Sequence, residues 1–325
     1  MKFRTRNCLP SIAVILTLGF VSSLVSYVQG RFPALVIAQS GPDELRYVPE
    51  DVKILGYANL RDVMLSDLRQ RLGQIDPAFD HQRKFLAQMG IDIENDIDQV
   101  VAGLIPALEP GDRESRGIIV LSGRFDAAQL EVLARNNGST VEEHEGTRLL
   151  QMRIDDNQVV LAFIEPGVIA LGSESMVRRT IELPSTGGDV TANPRLMELM
   201  SHIEEGANAW AVGEFEGREA LAWLPDQVES QIPPVDAFAV GGRFNGGVNT
   251  SITAETRDAE AGQDLRKVVQ LFLALARMRS SSQPELSVML DTVKLSNEGS
   301  TVTLSFVVPV EVFEMVLRDR GDKPR

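Results

Sequence analysis

Three short polar turns, each set between runs of alternating apolar and polar residues, most constrain what this chain can fold into. They are Asp155-Asp156-Asn157, Asn245-Gly246-Gly247 and Asn297-Glu298-Gly299. Asn, Asp and Gly at such positions are typical of β-hairpins, whose two strands pair antiparallel. The third turn, for example, separates predicted strands at Leu286 to Leu295 and Thr301 to Val308. The sequence therefore predicts antiparallel sheets.

Helical segments alternate with these strands. Asp126 and Asp258 each precede such a segment and are predicted N-caps. The main apolar face predicted for the second helix consists of Leu265, Val268, Val269, Phe272, Leu275 and Ala276. Because a helix buries its apolar face against a sheet, we predict an α+β fold with helices packed on one face of antiparallel sheet.

The order of predicted elements occurs twice along the chain. Residues 48–183 and residues 207–320 share the order strand, helix, two strands, Asp-capped helix, hairpin and helix, and a loop and helix at 184–206 join them. The first half has two further predicted elements, a helix near residues 79–89 and a strand near residues 168–172. This repetition predicts two similar α+β lobes that arose by internal duplication. The alternative is two unrelated α+β halves.

The amino terminus has the charge order of an export signal. Lys2, Arg4 and Arg6 precede an apolar run over residues 9–28, and no acidic residue occurs before Asp43. We predict that residues 1–38 are a signal peptide, cleaved after residue 30 or 38. The apolar run is also long enough to serve as an uncleaved anchor in the inner membrane. Residues 39–47 are a predicted linker and residues 321–325 a polar tail.

Charge and cysteine content narrow the partners and the compartment. The chain has 46 acidic and 32 basic residues, a formal net charge of -14, and its single Cys is Cys8 in the leader. An acidic body repels nucleic acid and anionic lipid headgroups, so nucleic acid is excluded and membrane contact is expected only through an uncleaved amino terminus. A periplasmic or other extracytoplasmic location, with stability from packing and without disulfides, fits this composition.

Catalytic motifs and cofactor fingerprints are missing from the sequence. His144 lies among Glu142, Glu143 and Glu145, between a predicted helix end and a strand, where solvent would screen these charges. Gly172-Ser173-Glu174-Ser175 resembles a nucleophile elbow only superficially, because Met176 stands where the last glycine belongs. Ser173 or Ser175 is instead a predicted helix N-cap. We therefore predict no catalytic residue and no cofactor.

A weak calcium pattern occurs at Asp92, Glu94 and Asp96, which mimic the first ligand positions of a calcium loop. The loop would need a glycine where Ile97 stands and a bidentate glutamate where Gly103 stands. We therefore favour a turn at these residues over a metal site, with calcium as the alternative.

Two short stretches resemble a group of uncharacterised exported bacterial proteins. They are Val48-Pro49-Glu50-Asp51 with Asn59-Leu60-Arg61, and Gly90-Ile91-Asp92 with the segment up to Gly103. The resemblance covers mainly residues 48–180 and implies a bacterial envelope protein. It transfers no catalytic residue.

These observations predict a non-enzymatic exported envelope protein that binds a protein or small ligand through its two lobes. One alternative is a carrier of apolar cargo, because Leu271, Leu273 and Ala274 lie beyond the main apolar face predicted for their helix. Another is a hydrolase that uses paired carboxylates.

Overall fold

A single antiparallel sheet is the centre of the fold. The computed structural model describes residues 42–65, 92, 95–106, 116–136, 138–154, 157–215, 232–244, 247–280 and 284–312. These residues form a 12-stranded sheet in the order β11-β12-β10-β9-β8-β1-β2-β3-β7-β6-β5-β4. The strands are β1 (Ile54–Ala58), β2 (Ile97–Ile105), β3 (Arg116–Gly123), β4 (Thr140–His144), β5 (Thr147–Ile154), β6 (Asn157–Glu165), β7 (Val168–Gly172), β8 (Ala209–Glu214), β9 (Val235–Phe244), β10 (Gly247–Thr256), β11 (Lys294–Glu298) and β12 (Thr301–Pro309).

Helices accompany this sheet, so the predicted α+β class is confirmed. In the described part of the chain they are α1 (Leu60–Leu65), α2 (Ala127–Asn136), α3 (Glu174–Thr186), α4 (Pro194–Met200), α5 (Ala259–Ser280) and α6 (Pro284–Asp291). Short 3-10 helices cover Asp43–Tyr47 and Val190–Ala192. No helix of the described residues is both long and apolar enough to span a membrane. The predicted leader and tail lie outside the described residues.

The two predicted lobes share one sheet. Strands β1 and β8 pair antiparallel at its middle, with Gly56 opposite Ala211. From this pair, the order runs β1-β2-β3-β7-β6-β5-β4 in one direction and β8-β9-β10-β12-β11 in the other. The hydrogen-bonded ladder therefore continues from one half of the chain into the other.

Helices lie on both faces of the sheet, which corrects the prediction of one covered face. We call the side of Leu55, Tyr57 and Trp210 the front and the other side the back. Residues along a strand alternate between faces, so the pairing registers place Glu142 on the front and Arg148 on the back. Arg178 of α3 binds Glu142, whereas Glu131 of α2 binds Arg148. The two helices therefore cover opposite faces.

The segment 43–52, which we call the strap, covers the front of the sheet. Leu45 and Tyr47, within the predicted linker at residues 39–47, are 2% and 3% exposed and lie in the core, whereas Asp43 and Arg46 are exposed. A Cβ atom on Gly103 of β2 would lie 2.7 Å from Cγ1 of Val48. The strap can approach the sheet this closely because residue 103 has no side chain.

Two elements differ from the predicted secondary structure. The segment predicted as a strand from Leu286 is instead α6, followed by β11. Pro284 occupies its first turn, and Leu286, Met289 and Leu290 are buried at helical spacing against β12. Strand β4 was not predicted because its glutamates give no apolar alternation, yet it pairs with β5 along its length.

Candidate functional site

Helix α5 is anchored to the back of the sheet by one side. The Asp258 carboxylate accepts a hydrogen bond of 2.9 Å from the amide of Ala261, which confirms the predicted N-cap. A Cβ on Gly262 would lie 2.6 Å from the carbonyl oxygen of Gly299, so the first turn of the helix is close to the β11–β12 hairpin. Leu265 is buried with Val302 of β12.

The opposite side of α5 carries exposed apolar residues, which we call the α5 stripe: Leu271, Ala274, Leu275 and Met278. Leu271 is 51% exposed, Leu275 41% and Met278 76%. Their spacing of three and four residues places them on one face of the helix. Of the six large apolar side chains that are exposed among the described residues, three belong to this stripe and a fourth, Val288, lies on the adjacent helix α6. The candidate site is therefore an exposed apolar surface on α5 and α6.

The sequence identified this region but assigned some residues to the wrong side. Leu275, predicted in the buried face, is exposed, and Leu273, predicted outside it, packs partly buried against the cluster of α6 and β12. Leu271 and Ala274, considered from the sequence as lining for apolar cargo, are exposed to solvent. The discrepancy arises because the angular width of the buried face depends on where the helix contacts the sheet.

Basic residues accompany the stripe. Lys267, four residues before Leu271, lies on the same side of α5 and is paired with Asp264, with 2.7 Å between Nζ and Oδ1. This hydrogen bond raises the pKa of Lys267, so the side chain is charged at neutral pH. Nη2 of Arg277 lies 3.5 Å from the carbonyl oxygen of Leu290, which links α5 to α6.

Two poorly exposed carboxylates, Glu255 and Glu131, have basic partners. Glu255 of β10 lies 2.5 Å from Arg195 and 3.2 Å from His202. Glu131 of α2 lies 2.5 Å from Arg135 and 2.7 Å from Arg148. These pairs fasten α4 and α2 to the sheet, so a structural role accounts for each.

His144, the histidine considered as a catalytic or metal-binding candidate, also links a strand to a helix. His144 lies in β4, and its Nε2 is 2.8 Å from Oε1 of Glu182 on α3. Beside it, a hydrogen bond from Arg178 lowers the pKa of Glu142. Sequential residues of β4 point to opposite faces of the sheet, and both His144 and Glu142 pair with side chains of α3.

The calcium candidates are only partly described. The amide of Asp92 donates to the carboxylate of Asp96 at 2.8 Å, and Asn95 donates to the Asp92 carboxylate at 2.8 Å. These contacts form a local turn, as favoured from the sequence. Glu94 lies outside the described residues. Within the part of the chain that the structure describes, no group of three or more His, Cys, Asp or Glu residues could hold a metal ion.

The predicted N-cap near Ser173 is correct in position only. Helix α3 begins at Glu174 with Ser173 as its N-cap, but the Ser173 hydroxyl makes no capping hydrogen bond. Ser175 lies inside the first turn. The two histidines that the structure describes, His144 and His202, lie within hydrogen-bond distance of Glu182 and Glu255.

Comparison with known proteins identifies the fold alone. No protein-family model matches the chain, and no curated protein matches it. Among solved structures, crystal form III of a protein named TP0453 matches with a TM-score of 0.53 and 12% identity, covering 86% of this chain and 99% of that one. Crystal form I of the same protein gives a TM-score of 0.50 and 13% identity, with coverage of 86% and 99%.

Proposed function

We propose that this chain is a non-enzymatic, exported envelope protein that binds a partner through the α5 stripe. The observation that carries the proposal is the concentration of exposed apolar side chains on α5 and the adjacent α6. Large apolar groups gathered on one surface are typical of interaction sites, whereas isolated ones are common on any protein. The charge order at the amino terminus supports export.

The binding surface differs from the one proposed from sequence, which used both lobes. The ion pairs of Glu255 and Glu131 hold helices to the sheet, and their partners are supplied within the chain. Leu271 and Leu275 are instead half-exposed to solvent, where burial by a partner is favourable. The α5 stripe is therefore the better candidate.

The two halves of the sheet, in this proposal, arose by internal duplication. Strand β7 lies beside β3 and β12 lies beside β10, so the third strand of each half pairs with a later strand. An Asp-capped helix follows the third strand in each case: Asp126 accepts from Gln129, and Asp258 accepts from Ala261. Superposition of β8–β10 with α5 on β1–β3 with α2 tests this: coincident traces support duplication, and helices that diverge contradict it.

Site-specific photo-cross-linking tests the binding proposal. A photoreactive amino acid replaces Leu271 or Leu275 in the full chain, expressed in the organism that encodes it, and Val132 on α2 serves as the matched control because it is 55% exposed. We expect a discrete adduct from positions 271 and 275 and none from 132. Equal adducts from all three positions, or none from any, would overturn the proposal.

A further inference from the structure

We infer that the α5 stripe binds an acidic amphipathic helix of a partner protein. This inference deepens the proposed function and rests on it. It is carried by two independent properties of the surface, the spacing of its apolar side chains and the charge around them.

The spacing fits a helix. Leu271, Ala274, Leu275 and Met278 follow the i, i+3, i+4, i+7 pattern by which one helix packs along another. They extend over two turns, about 10 Å along the axis. Ala274 is the smallest of the four and lies between the larger side chains, so the backbone of a second helix can approach α5 at this point.

The charge around the stripe is opposite to that of the molecule. The whole chain has 46 acidic residues among 325. From Asp264 to Gln283, in contrast, the sequence has four basic residues, Arg266, Lys267, Arg277 and Arg279, and one acidic residue, Asp264. Asp264 is paired with Lys267, so the three arginines give this segment, which we call the basic band, its net positive charge. Salt screens charges that are more than about 8 Å apart at physiological ionic strength. The charges that a ligand on the stripe interacts with are therefore mainly those of this basic band. An acidic ligand is therefore favoured.

A single helix fits these conditions better than the other occupants. A lipid surface extends beyond the band and would also meet the body of a chain with net charge -14, which repels anionic headgroups. A second copy of this chain would place one basic band against another. A single helix is as narrow as the stripe, so it contacts the basic band without reaching the acidic surface of the rest of the molecule.

A designed peptide provides the probe. It has about five helical turns, leucine at i, i+3, i+4 and i+7 spacing, and glutamate at the flanking positions; a matched peptide has lysine in place of every glutamate. Fluorescence anisotropy measures the binding of each labelled peptide to the full chain at low and high salt. We expect saturable binding of the glutamate peptide, weakened by salt, and at least about tenfold weaker binding of the lysine peptide.

Variants locate the binding. The double variant Leu271→Ser with Leu275→Ser should bind the glutamate peptide at least about tenfold more weakly, whereas Val132→Ser should bind it with unchanged affinity. Lys267→Glu should reduce the preference for the glutamate peptide. Circular dichroism confirms that each variant is folded, which we expect because Leu271 and Leu275 are half-exposed.

Several outcomes would overturn the inference. For the peptides, they are equal binding of both, binding that the serine substitutions do not weaken, and no binding of either. For other occupants, they are binding to phosphatidylglycerol vesicles that depends on the stripe and occurs without peptide binding, and dimerisation that depends on the stripe. If positions 271 and 275 give cross-links in cells while the peptide fails, the helix inference is wrong and the proposed function stands. If the cross-links also fail, both are wrong.

Discussion

The hydroxyl of Thr180 donates a buried hydrogen bond of 2.8 Å to the backbone carbonyl of Tyr47, 133 residues earlier in the sequence. It joins α3 to the strap. Arg179, the preceding residue, adds an ion pair of 2.7 Å with Asp51 at the other end of the strap. The strap and α3 therefore stabilise each other on the front of the sheet.

Replacing Thr180 by valine tests this joint. The substitution keeps the shape of the side chain and removes its donor, leaving the Tyr47 carbonyl without that partner. We expect a loss of about 1–3 kcal/mol in the free energy of unfolding, measured by urea titration. Thr186→Val is the control, since its exposed hydroxyl donates to the backbone carbonyl of Glu182 at 3.0 Å. Equal losses of unfolding free energy in the two variants would contradict a stabilising buried hydrogen bond between Thr180 and Tyr47.

The strap itself is tested at Leu45. Because this side chain is 2% exposed, Leu45→Ala should reduce the free energy of unfolding by about 2–5 kcal/mol. Asp43→Ala, at the exposed start of the same 3-10 helix, should change it by less than about 0.5 kcal/mol. If Leu45→Ala is as mild as the control, residues 43–47 are a linker after all.

Helix α6 gives a test that separates a helix from the predicted strand. Residues 286 and 288 would share one face of a strand, but in α6 Leu286 is 2% exposed and Val288 is 55% exposed. Leu286→Ala should therefore cost about 2–5 kcal/mol, and Val288→Ala less than about 0.5 kcal/mol. Similar large costs at both positions would restore the strand.

The Glu142–Arg178 pair predicts a pH dependence. The pKa of Glu142 lies below its ordinary value of 4.5 in the folded protein because Arg178 binds the carboxylate. The pair therefore stabilises the fold above pH 4.5, and this contribution declines as the pH falls below that value and is lost below the folded-state pKa.

Urea midpoints of the wild type and Glu142→Gln, measured from pH 7 to pH 3, check this sign. We expect the wild type to be the more stable at neutral pH and the difference to vanish in acid. Glu143→Gln is the control, since Glu143 is on the opposite face of β4 from Arg178. A difference that grows in acid would show that Arg178 does not hold this carboxylate.

The sequence predicted some elements correctly and others incorrectly, depending on whether local residue chemistry or tertiary contacts determine the element. The turn at Asn297-Glu298-Gly299 was correct because tight turns depend on local residue chemistry, and β11 and β12 do pair across it. The strand expected from Leu286 was wrong because short apolar runs satisfy both periodicities, and tertiary contacts with Phe306 and Val308 decide between them.

From the sequence, α5 was considered only as the lining of a cavity for apolar cargo. The excess of apolar residues on α5 is visible in the sequence, and Leu271 was correctly placed off the main face. The side of α5 that is buried depends on how α6 and β12 pack against it, and this packing places Leu273 against their cluster although its position in the helix had suggested otherwise. The partners of Glu255 likewise depend on contacts over 53 residues or more, to His202 and Arg195.

The central pairing of β1 with β8 has a consequence for how the molecule melts. Each strand of this pair is also bonded on its outer side, β1 to β2 and β8 to β9. Neither half can lose its first strand without exposing backbone groups of the other. We therefore expect the sheet to unfold in one cooperative transition on heating or in denaturant. The first half of the chain can complete its folding only after the second half has been synthesised, because β1 then gains its partner β8.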